Sequence, residues 1–256
     1  MIDRRELLER ARERNLPLAI VEKDYVLGWL LFGFSQVRDL IFKGVTALSK
    51  FYFPEIWRLS EDLDFVFLHS DFQEIVGYLD EVFSLIREKS GIQVNLKSEY
   101  SNPEYLQLKI QYNALIGRNW AKVDVTREKP IDQTVERPIH RGYSDYPHFS
   151  TKVESVEEIL AQKLRAILER RKCRDYYDVW KLTEPRVDLD RVKKMFARKC
   201  RFKQIEFKGF DQFFPPDIVQ VLRPYWEHEL GRLTQPLPDI ETVMHELDKR
   251  LEAMFT

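Results

Sequence analysis

The sequence predicts an α/β fold, with a mixed sheet and helices in the first part and a helical C-terminal half. Two observations predict it. Before residue 127, apolar and polar residues alternate along several short runs, which is the period of half-buried strands. From Ser155 onward, apolar residues recur at helical spacing nearly to the end. We therefore expect two domains, residues 1–150 as an α/β core with N-terminal helices and residues 151–256 as a helical domain.

The elements follow one another in a simple order. We predict helices at residues 2–14 and 17–34, a strand at 40–43, a helix at 47–53 stopped by Pro54, a strand at 63–68 and a helix beginning at Asp71. Strands follow at 92–96, 105–112 and 120–127. Prolines 130, 138 and 147 mark residues 128–150 as a connector with at most short strands.

Composition excludes several classes of protein. The 256 residues are 44% apolar and 32% charged with a formal charge of -1, so global charge does not favour nucleic acid or membrane. The longest apolar stretch, residues 26–34, is too short to cross a bilayer. Cys173 and Cys200 form no C-x-x-C pair, and the histidines lack zinc-ligand spacing. We expect a reduced, cytoplasmic protein with no membrane partner.

The segment around Asp62 and Asp64 carries the first chemical signal. In a strand, residues two apart share a face, so both carboxylates point the same way while Leu63 and Phe65 point the other. A hard cation such as Mg²⁺ relieves the repulsion between two such carboxylates and also takes phosphate oxygens. The alternative is an exposed strand edge with two solvated aspartates.

A second strand offers a third carboxylate. Asp124 lies on the polar face of residues 121–126 together with Lys122 and Thr126. If the two strands are neighbours, Asp124 completes a three-carboxylate site for phosphoryl transfer. A half-exposed antiparallel strand predicts the same alternation.

The segment from Lys43 to Lys50 predicts a strand, a tight turn and the start of a helix. Gly44 permits an unusual backbone angle, and Thr46 is a good helix N-cap. The free N–H groups of a new helix bind phosphate, so a triphosphate fits between this turn and the metal. An ordinary capped helix is the alternative.

A lysine lies within the apolar stripe of the helix that the capping box at Ser155 opens. Lys163 is nearly in line with Val156 and Ile167, and Arg165 is expected on the opposite face. A lysine facing the core needs an anion unless it extends to solvent. We therefore interpret Lys163 as a triphosphate contact, with extension to solvent as the alternative.

Residues 170–180 carry the last candidates. Asp175 is a possible N-cap with Asp178 in the first helical turn, and Arg174 pairs with either aspartate or with a phosphate. The structural and the functional interpretation of these residues both remain open.

In this order, the segments resemble the AbiEii family of nucleotidyltransferase toxins from about residue 20 to Trp180. The resemblance rests on residues 20–26 (IVEKDYV), 42–50 (FKGVTALSK), 58–65 (RLSEDLDF), 122–125 (KVDV), 158–164 (EILAQKL) and 174–178 (RDYYD). Val45 departs from the family, which usually has a second glycine there, and a side chain at this position crowds a phosphate.

The resemblance implies a polymerase-β-like nucleotidyltransferase core, with the helical domain completing the nucleotide site. It implies metal ligation by Asp62 and Asp64 and, less directly, by Asp124, with Mg²⁺ or Mn²⁺ as cofactor and an NTP as substrate. The predicted nucleotide-binding residues are Lys43, Gly44, Thr46, Lys163, Arg174, Asp175 and Asp178, and the predicted catalytic residues are Asp62, Asp64, Asp124 and Lys163.

The function predicted from these residues is metal-dependent transfer of NMP to an acceptor hydroxyl, with RNA or tRNA as the expected acceptor. The family further implies a toxin of a toxin–antitoxin or phage-defence pair, with a cognate antitoxin as partner. The basic run from Lys193 to Lys208 is a candidate contact for the RNA backbone or a solvated surface. Two alternatives remain open, a nucleotidyltransferase acting on a small molecule or a protein, and a catalytically weak nucleotide-binding module.

Overall fold

The computed structural model describes residues 1–54, 57–69, 71–183 and 187–256. The chain divides into two units, Met1–Glu154 and Ser155–Thr256. The first holds the sheet and the second is helical, so the predicted α/β class with a helical C-terminal half is confirmed.

The first unit begins with two helices, α1 (Arg4–Arg14) and α2 (Leu18–Phe34). Asp3 caps α1 by accepting the amide of Glu6, and Asn15 ends it in the left-handed conformation. Almost all of α2 is buried, which its apolar sequence favours. Both helices match the predicted positions.

In the part of the chain that the structure describes, seven strands form one mixed sheet, in the order β3-β4-β5-β2-β1-β7-β6. The strands are β1 (Leu40–Lys43), β2 (Asp62–Phe67), β3 (Gln93–Asn102), β4 (Tyr105–Asn113), β5 (Arg118–Thr126), β6 (Val135–Pro138) and β7 (Ser150–Val153). Strand β2 pairs in parallel with β5 and antiparallel with β1. All five predicted strands are present, and the connector holds only the short strand β6 and the start of β7.

Alternation along the central strands separates two faces of the sheet. Leu106, Leu108 and Ile110 of β4 are buried, whereas Tyr105 and Gln107 between them are partly exposed. The buried face packs against α2 and α5 (Leu79–Ser90), and the short helix α4 (Gln73–Gly77) packs against α5. The other face carries the acidic residues of β2 and β5.

The turn after β1 differs from the prediction. Helix α3 (Gly44–Ala47) begins directly at Gly44 and continues as a wider π-helical turn, Leu48–Tyr52. Thr46 therefore lies inside the helix and is not its N-cap; its hydroxyl instead donates to the backbone oxygen of Asp62, at 2.6 Å. The predicted cap is wrong because the helix begins at Gly44, in a left-handed conformation, three residues before the predicted start at Ala47.

The second unit consists of α6 (Val156–Arg170), α7 (Cys173–Leu182), α8 (Leu189–Phe202), α9 (Ile218–Leu230) and α10 (Ile240–Phe255), with a short 3₁₀ turn at Phe210–Phe213. Ser155 caps α6 by accepting the amide of Glu158, as predicted. Helix α6 packs against both α7 and α8 and is buried on two sides. Arg165, expected on the exposed side, is therefore buried, with a guanidinium N–H 3.5 Å from the backbone oxygen of Lys199.

Candidate active site

The parallel pairing of β2 with β5 brings the predicted carboxylates together. In this register Asp64 lies beside Asp124 and Asp62 beside Lys122. Residues opposite one another share a face, so the three carboxylates line the same side of the sheet. The condition that the sequence left open, that the two strands are neighbours, is met. We call this surface the polar face; its central residues are Lys43, Asp62, Asp64, Tyr105, Gln107, Lys122, Asp124 and Thr126.

Lys122 is a cation that contacts two of these carboxylates. Its Nζ lies 2.9 Å from Asp124 Oδ2 and 3.6 Å from Asp62 Oδ2. Burial disfavours the ammonium, but the hydrogen bond to Asp124 and the charge of Asp62 outweigh it and raise the pKa of Lys122. Burial also raises the pKa of Asp62, and the nearby charge of Asp124 adds to the effect while Lys122 opposes it. This acidic group therefore gains from a further cation.

Two side chains from β4 hold Asp124. The Tyr105 hydroxyl donates to Asp124 Oδ1 at 2.5 Å, and Gln107 Nε2 donates to the same oxygen at 3.1 Å. Burial, followed by this hydrogen bond, raises the pKa of Tyr105, so the hydroxyl stays protonated as a donor. Neither residue is predicted by the sequence. Their alternation on β4 was visible, but the β4–β5 register that places Gln107 opposite Asp124 was not.

Gly44 lies against Asp64 at the other side of β2. Its φ is +76°, and a Cβ built on it would stand 2.6 Å from Asp64 Oδ2. This position therefore requires a glycine for two reasons, the left-handed backbone angle and the close approach of the Asp64 carboxylate. Next to it, Lys43 Nζ donates to Thr126 Oγ1 at 2.7 Å.

A buried ion pair anchors the segment that follows the turn. Lys50 Nζ lies 2.8 Å from Asp24 Oδ2, which also accepts the Tyr143 hydroxyl at 3.0 Å. Burial lowers the pKa of Lys50, and the charge of Asp24 opposes this shift. Both residues lie in segments that carry the family resemblance, but the sequence did not show that they pair.

The second unit brings together Lys163, Asp175 and Asp178. Lys163 Nζ lies 3.0 Å from Asp175 Oδ1 and 2.9 Å from Asp178 Oδ2, and both carboxylates are fully buried. Asp175 also accepts the Arg170 guanidinium at 2.8 Å. The anion that Lys163 requires is therefore present within its own unit. Whether Lys163 or Arg174 binds a nucleotide remains a prediction.

Asp175 is not an N-cap. Helix α7 begins at Cys173 after Lys172, so Asp175 lies within the first turn and its carboxylate is used by Lys163 and Arg170. Burial alone would raise the pKa of Asp175, but the two cations outweigh it and hold the pKa well below its ordinary value.

One residue of the basic run from Lys193 to Lys208 is not available at the surface. Lys199 is buried and pairs with Glu158 of α6 at 2.5 Å. Lys199 is thereby excluded from contact with an RNA backbone. Lys193 pairs with Asp190 one turn earlier on α8.

Neither a metal cage nor a membrane helix is formed in the described residues. In the part of the chain that the structure describes, no three His, Cys, Asp or Glu side chains are grouped so as to hold a metal ion by themselves. Within those residues, none of the helices combines the length and apolar character needed to cross a bilayer. The three-carboxylate metal site therefore stays a prediction.

Known proteins are similar to the chain at the level of family and fold. The sequence model of the family described as nucleotidyl transferase AbiEii toxin, Type IV TA system, matches residues 29–253. The fold is similar to MenT4, a nucleotidyltransferase toxin from Mycobacterium tuberculosis, with a TM-score of 0.71 and 20% identity over 99% of this chain and 90% of that one. It is also similar to JHP933 from Helicobacter pylori, with a TM-score of 0.62 and 17% identity over 93% of both chains. No curated protein sequence is a significant match.

Proposed function

The chain belongs to the AbiEii family of nucleotidyltransferase toxins, and we propose that it transfers NMP from an NTP to a hydroxyl of an RNA acceptor, with tRNA as one candidate. The observation that supports this most is the register of β2 and β5, which gathers Asp62, Asp64 and Asp124 on one face. Phosphoryl transfer needs little covalent chemistry from a protein and depends on positioning and charge stabilisation.

The reaction is an in-line displacement. The acceptor oxygen forms a bond to the α-phosphorus, the bond from that phosphorus to the bridging oxygen breaks, and pyrophosphate leaves with the electron pair. The hydroxyl proton passes to solvent or to a carboxylate. In this proposal the amides at the start of α3 face the leaving pyrophosphate. Because Gly44 has no side chain, the Asp64 carboxylate lies directly against the same turn.

The donor set suits magnesium. Mg²⁺ is usually held by one or two carboxylates together with substrate phosphates and not by a cage of protein ligands, so Asp62 and Asp64 suffice. Lys122 contacts two of the three carboxylates, those of Asp62 and Asp124, and Asp64 Oδ2 lies directly against Gly44. Bound Mg²⁺ or Mn²⁺ would neutralise charge on the phosphates.

Asp124 is the third ligand or the general base. Tyr105 and Gln107 fix one of its oxygens, and Lys122 contacts the other. In either role the orientation of the carboxylate depends on β4. In the first unit we keep Lys43 and Thr46 as proposed nucleotide contacts, and in the second unit Lys163 and Arg174. Asp175 and Asp178 are fully buried, so we propose that they support Lys163.

The biological role that we propose is that of a toxin acting in the cytoplasm and controlled by a cognate antitoxin. The family description, Type IV TA system, supports this pairing. The alternative of a weak binding module rested on Val45. Its side chain is 6% exposed and packs into the interior, so it does not occupy the solvent side of the turn.

An acceptor screen tests the proposal. The protein is incubated with each α-labelled NTP, Mg²⁺ and separate RNA, protein and small-molecule fractions of a bacterial lysate. We expect label in the RNA fraction. Label confined to the protein or small-molecule fraction would favour a nucleotidyltransferase that acts on a protein or a small molecule. The absence of label from every fraction would contradict nucleotidyl transfer.

A further inference from the structure

The polar face continues beyond the carboxylates across β5, β4 and β3. Gln111 lies opposite Trp120 and Lys109 opposite Lys122, while Tyr100 of β3 lies opposite Gln107. Because opposite residues share a face, these side chains extend the same surface. The extension therefore carries two aromatic rings, a lysine and amide groups directly next to the acidic centre.

Trp120 is the first distinctive residue of this extension. Its side chain remains 37% exposed, and the ammonium of Lys109 lies 3.9 Å from the centre of its ring. Lys23 of α2 lies 5.1 Å from the same ring, but it is buried and pairs with Glu61. Aromatic rings beside cations are the combination that binds single-stranded nucleic acid, because bases stack on the ring and phosphates pair with the cations.

Tyr100 is the second exposed ring. It is 59% exposed, and its ring centre lies 6.4 Å from that of Tyr105, which holds Asp124. Paired positions connect Tyr100 through Gln107 to Asp124 and on to Asp64. The exposed aromatic surface is thus continuous with the carboxylates.

The geometry of the reaction decides which substrate meets this surface. The phosphate-binding turn at Gly44 follows β1, on one side of β2, whereas β5, β4 and β3 lie on the other side. In an in-line displacement the attacking and leaving oxygens are on opposite sides of the phosphorus. Pyrophosphate at the Gly44 turn therefore places the acceptor over β5 and β4.

The distance along β5 between Trp120 and Asp124 fits an acceptor that is a polymer. Trp120 precedes Asp124 by four residues, which is about 13 Å along a strand. A reacting hydroxyl at the carboxylates thus leaves Trp120 to a preceding nucleotide of the same strand.

We infer that the extension of the polar face, with Trp120, Tyr100 and Lys109, binds the single-stranded end of the nucleic acid acceptor. The inference rests on the proposed function, since the position of the pyrophosphate comes from it. Trp120 and Tyr100 stack on bases, and Lys109 contacts a phosphate.

Binding of a defined probe tests the inference without requiring turnover. The probe is a 5′-fluorescein RNA 12-mer pool of random sequence with a free 3′ hydroxyl, and the readout is fluorescence anisotropy with the full chain. We expect Trp120→Ala to weaken binding at least about fivefold, as for loss of one stacked base. Lys109→Ala should reduce the slope of log affinity against log salt by about 0.7.

Matched variants at and before helix α5, away from the polar face, serve as controls. Tyr78→Ala removes an exposed aromatic ring before α5, and Lys89→Ala removes an exposed lysine on α5; both should bind like wild type. Trp120→Phe keeps a ring and should retain most of the affinity, and thermal melts show that each variant folds. Wild-type affinity in Trp120→Ala, or equal losses in Tyr78→Ala, would overturn the inference.

A second titration separates the incoming nucleotide from the acceptor. Calorimetry with each NTP and Mg²⁺ should give the same affinity for wild type and Trp120→Ala. A loss of NTP affinity with unchanged RNA binding would overturn the inference, because the ring would then serve the NTP. If the wild-type chain binds RNA but transfers no nucleotide, the proposed function is contradicted, whereas the inference that this surface binds RNA is supported.

Discussion

At the scale of single residues, Gly44 matters both for the fold and for the proposed chemistry, because it has no Cβ. An alanine at this position would be strained by the left-handed backbone angle, and its methyl group would collide with the Asp64 carboxylate. Gly91 has nearly the same φ, +77°, but a Cβ there meets only Met1 Cε at 3.8 Å. The two glycines therefore separate backbone strain from disturbance of the site.

We predict that Gly44→Ala and Gly91→Ala each lose about 1 kcal/mol of stability from the left-handed backbone. Gly44→Ala should in addition lose nucleotidyl transfer on the order of 100-fold, because displacing Asp64 misplaces a reacting group. Denaturant unfolding and a transfer assay on both variants check this. Equal activities of the two variants would show that the Gly44 contact with Asp64 has no catalytic consequence.

The position of a side chain could be predicted where it depends only on the alternation within its own strand. Asp62, Asp64 and Asp124 follow from alternation within their own strands, and the structure places them on one face. Tyr105 and Gln107 did not follow, since a contact to Asp124 depends on which strands pair and in which register. Local sequence determines the period of a strand but not its neighbour.

At the scale of elements, the pair of helices α6 and α7 depends on one buried cation. Lys163 bridges Asp175 and Asp178, both without exposure to solvent. The helical period places Lys163 in the apolar stripe, but its partners lie on the next helix and have no local signal. For the same reason the sequence left open whether Asp175 is an N-cap or a functional residue.

We predict that Lys163→Met destabilises the protein by about 3 kcal/mol, because it leaves buried carboxylates without their cation. The value is at the lower end because Arg170 still pairs with Asp175. Lys172→Met removes an exposed lysine at the start of α7 and should be neutral. Urea unfolding measures both, and an unchanged midpoint for Lys163→Met would refute the stabilising role of this pair.

The same cluster predicts a dependence of stability on pH. The pKa of Asp175 is lowered in the folded protein, so its stabilising contribution is complete above the unfolded pKa of about 3.9 and is lost as pH falls below it. The difference in unfolding free energy between wild type and Asp175→Asn should be constant above about pH 5 and shrink toward pH 3. Chemical unfolding at several pH values checks this, and a difference that stays constant down to pH 3 would contradict it.

At the scale of the whole molecule, the sequence predicted the order of strands and helices but not the order of strands in the sheet. The parallel β2–β5 pair at its centre joins residues about sixty positions apart and has no local signal. The family resemblance supplied the expected fold, and the match over residues 29–253 confirms the family. The role of the helical unit in nucleotide binding stays a prediction.

We predict that expression of the protein without its antitoxin slows bacterial growth. The reason is the proposed modification of RNA by a member of a toxin family. Growth curves from a tightly repressed promoter compare wild type with Asp64→Asn at equal protein levels measured by immunoblot. Equal growth of the two strains would count against a toxic activity in that host.

The central claim is that the carboxylates of β2 perform nucleotidyl transfer, and one measurement tests it most directly. Transfer of α-labelled NTP to purified bacterial RNA is compared between wild type, Asp64→Asn and Asp80→Asn, an exposed aspartate in the first turn of α5. We predict equal labelling by wild type and Asp80→Asn, and a loss of at least about a hundredfold in Asp64→Asn with an unchanged thermal melt. Labelling by Asp64→Asn at the wild-type rate would contradict the claim.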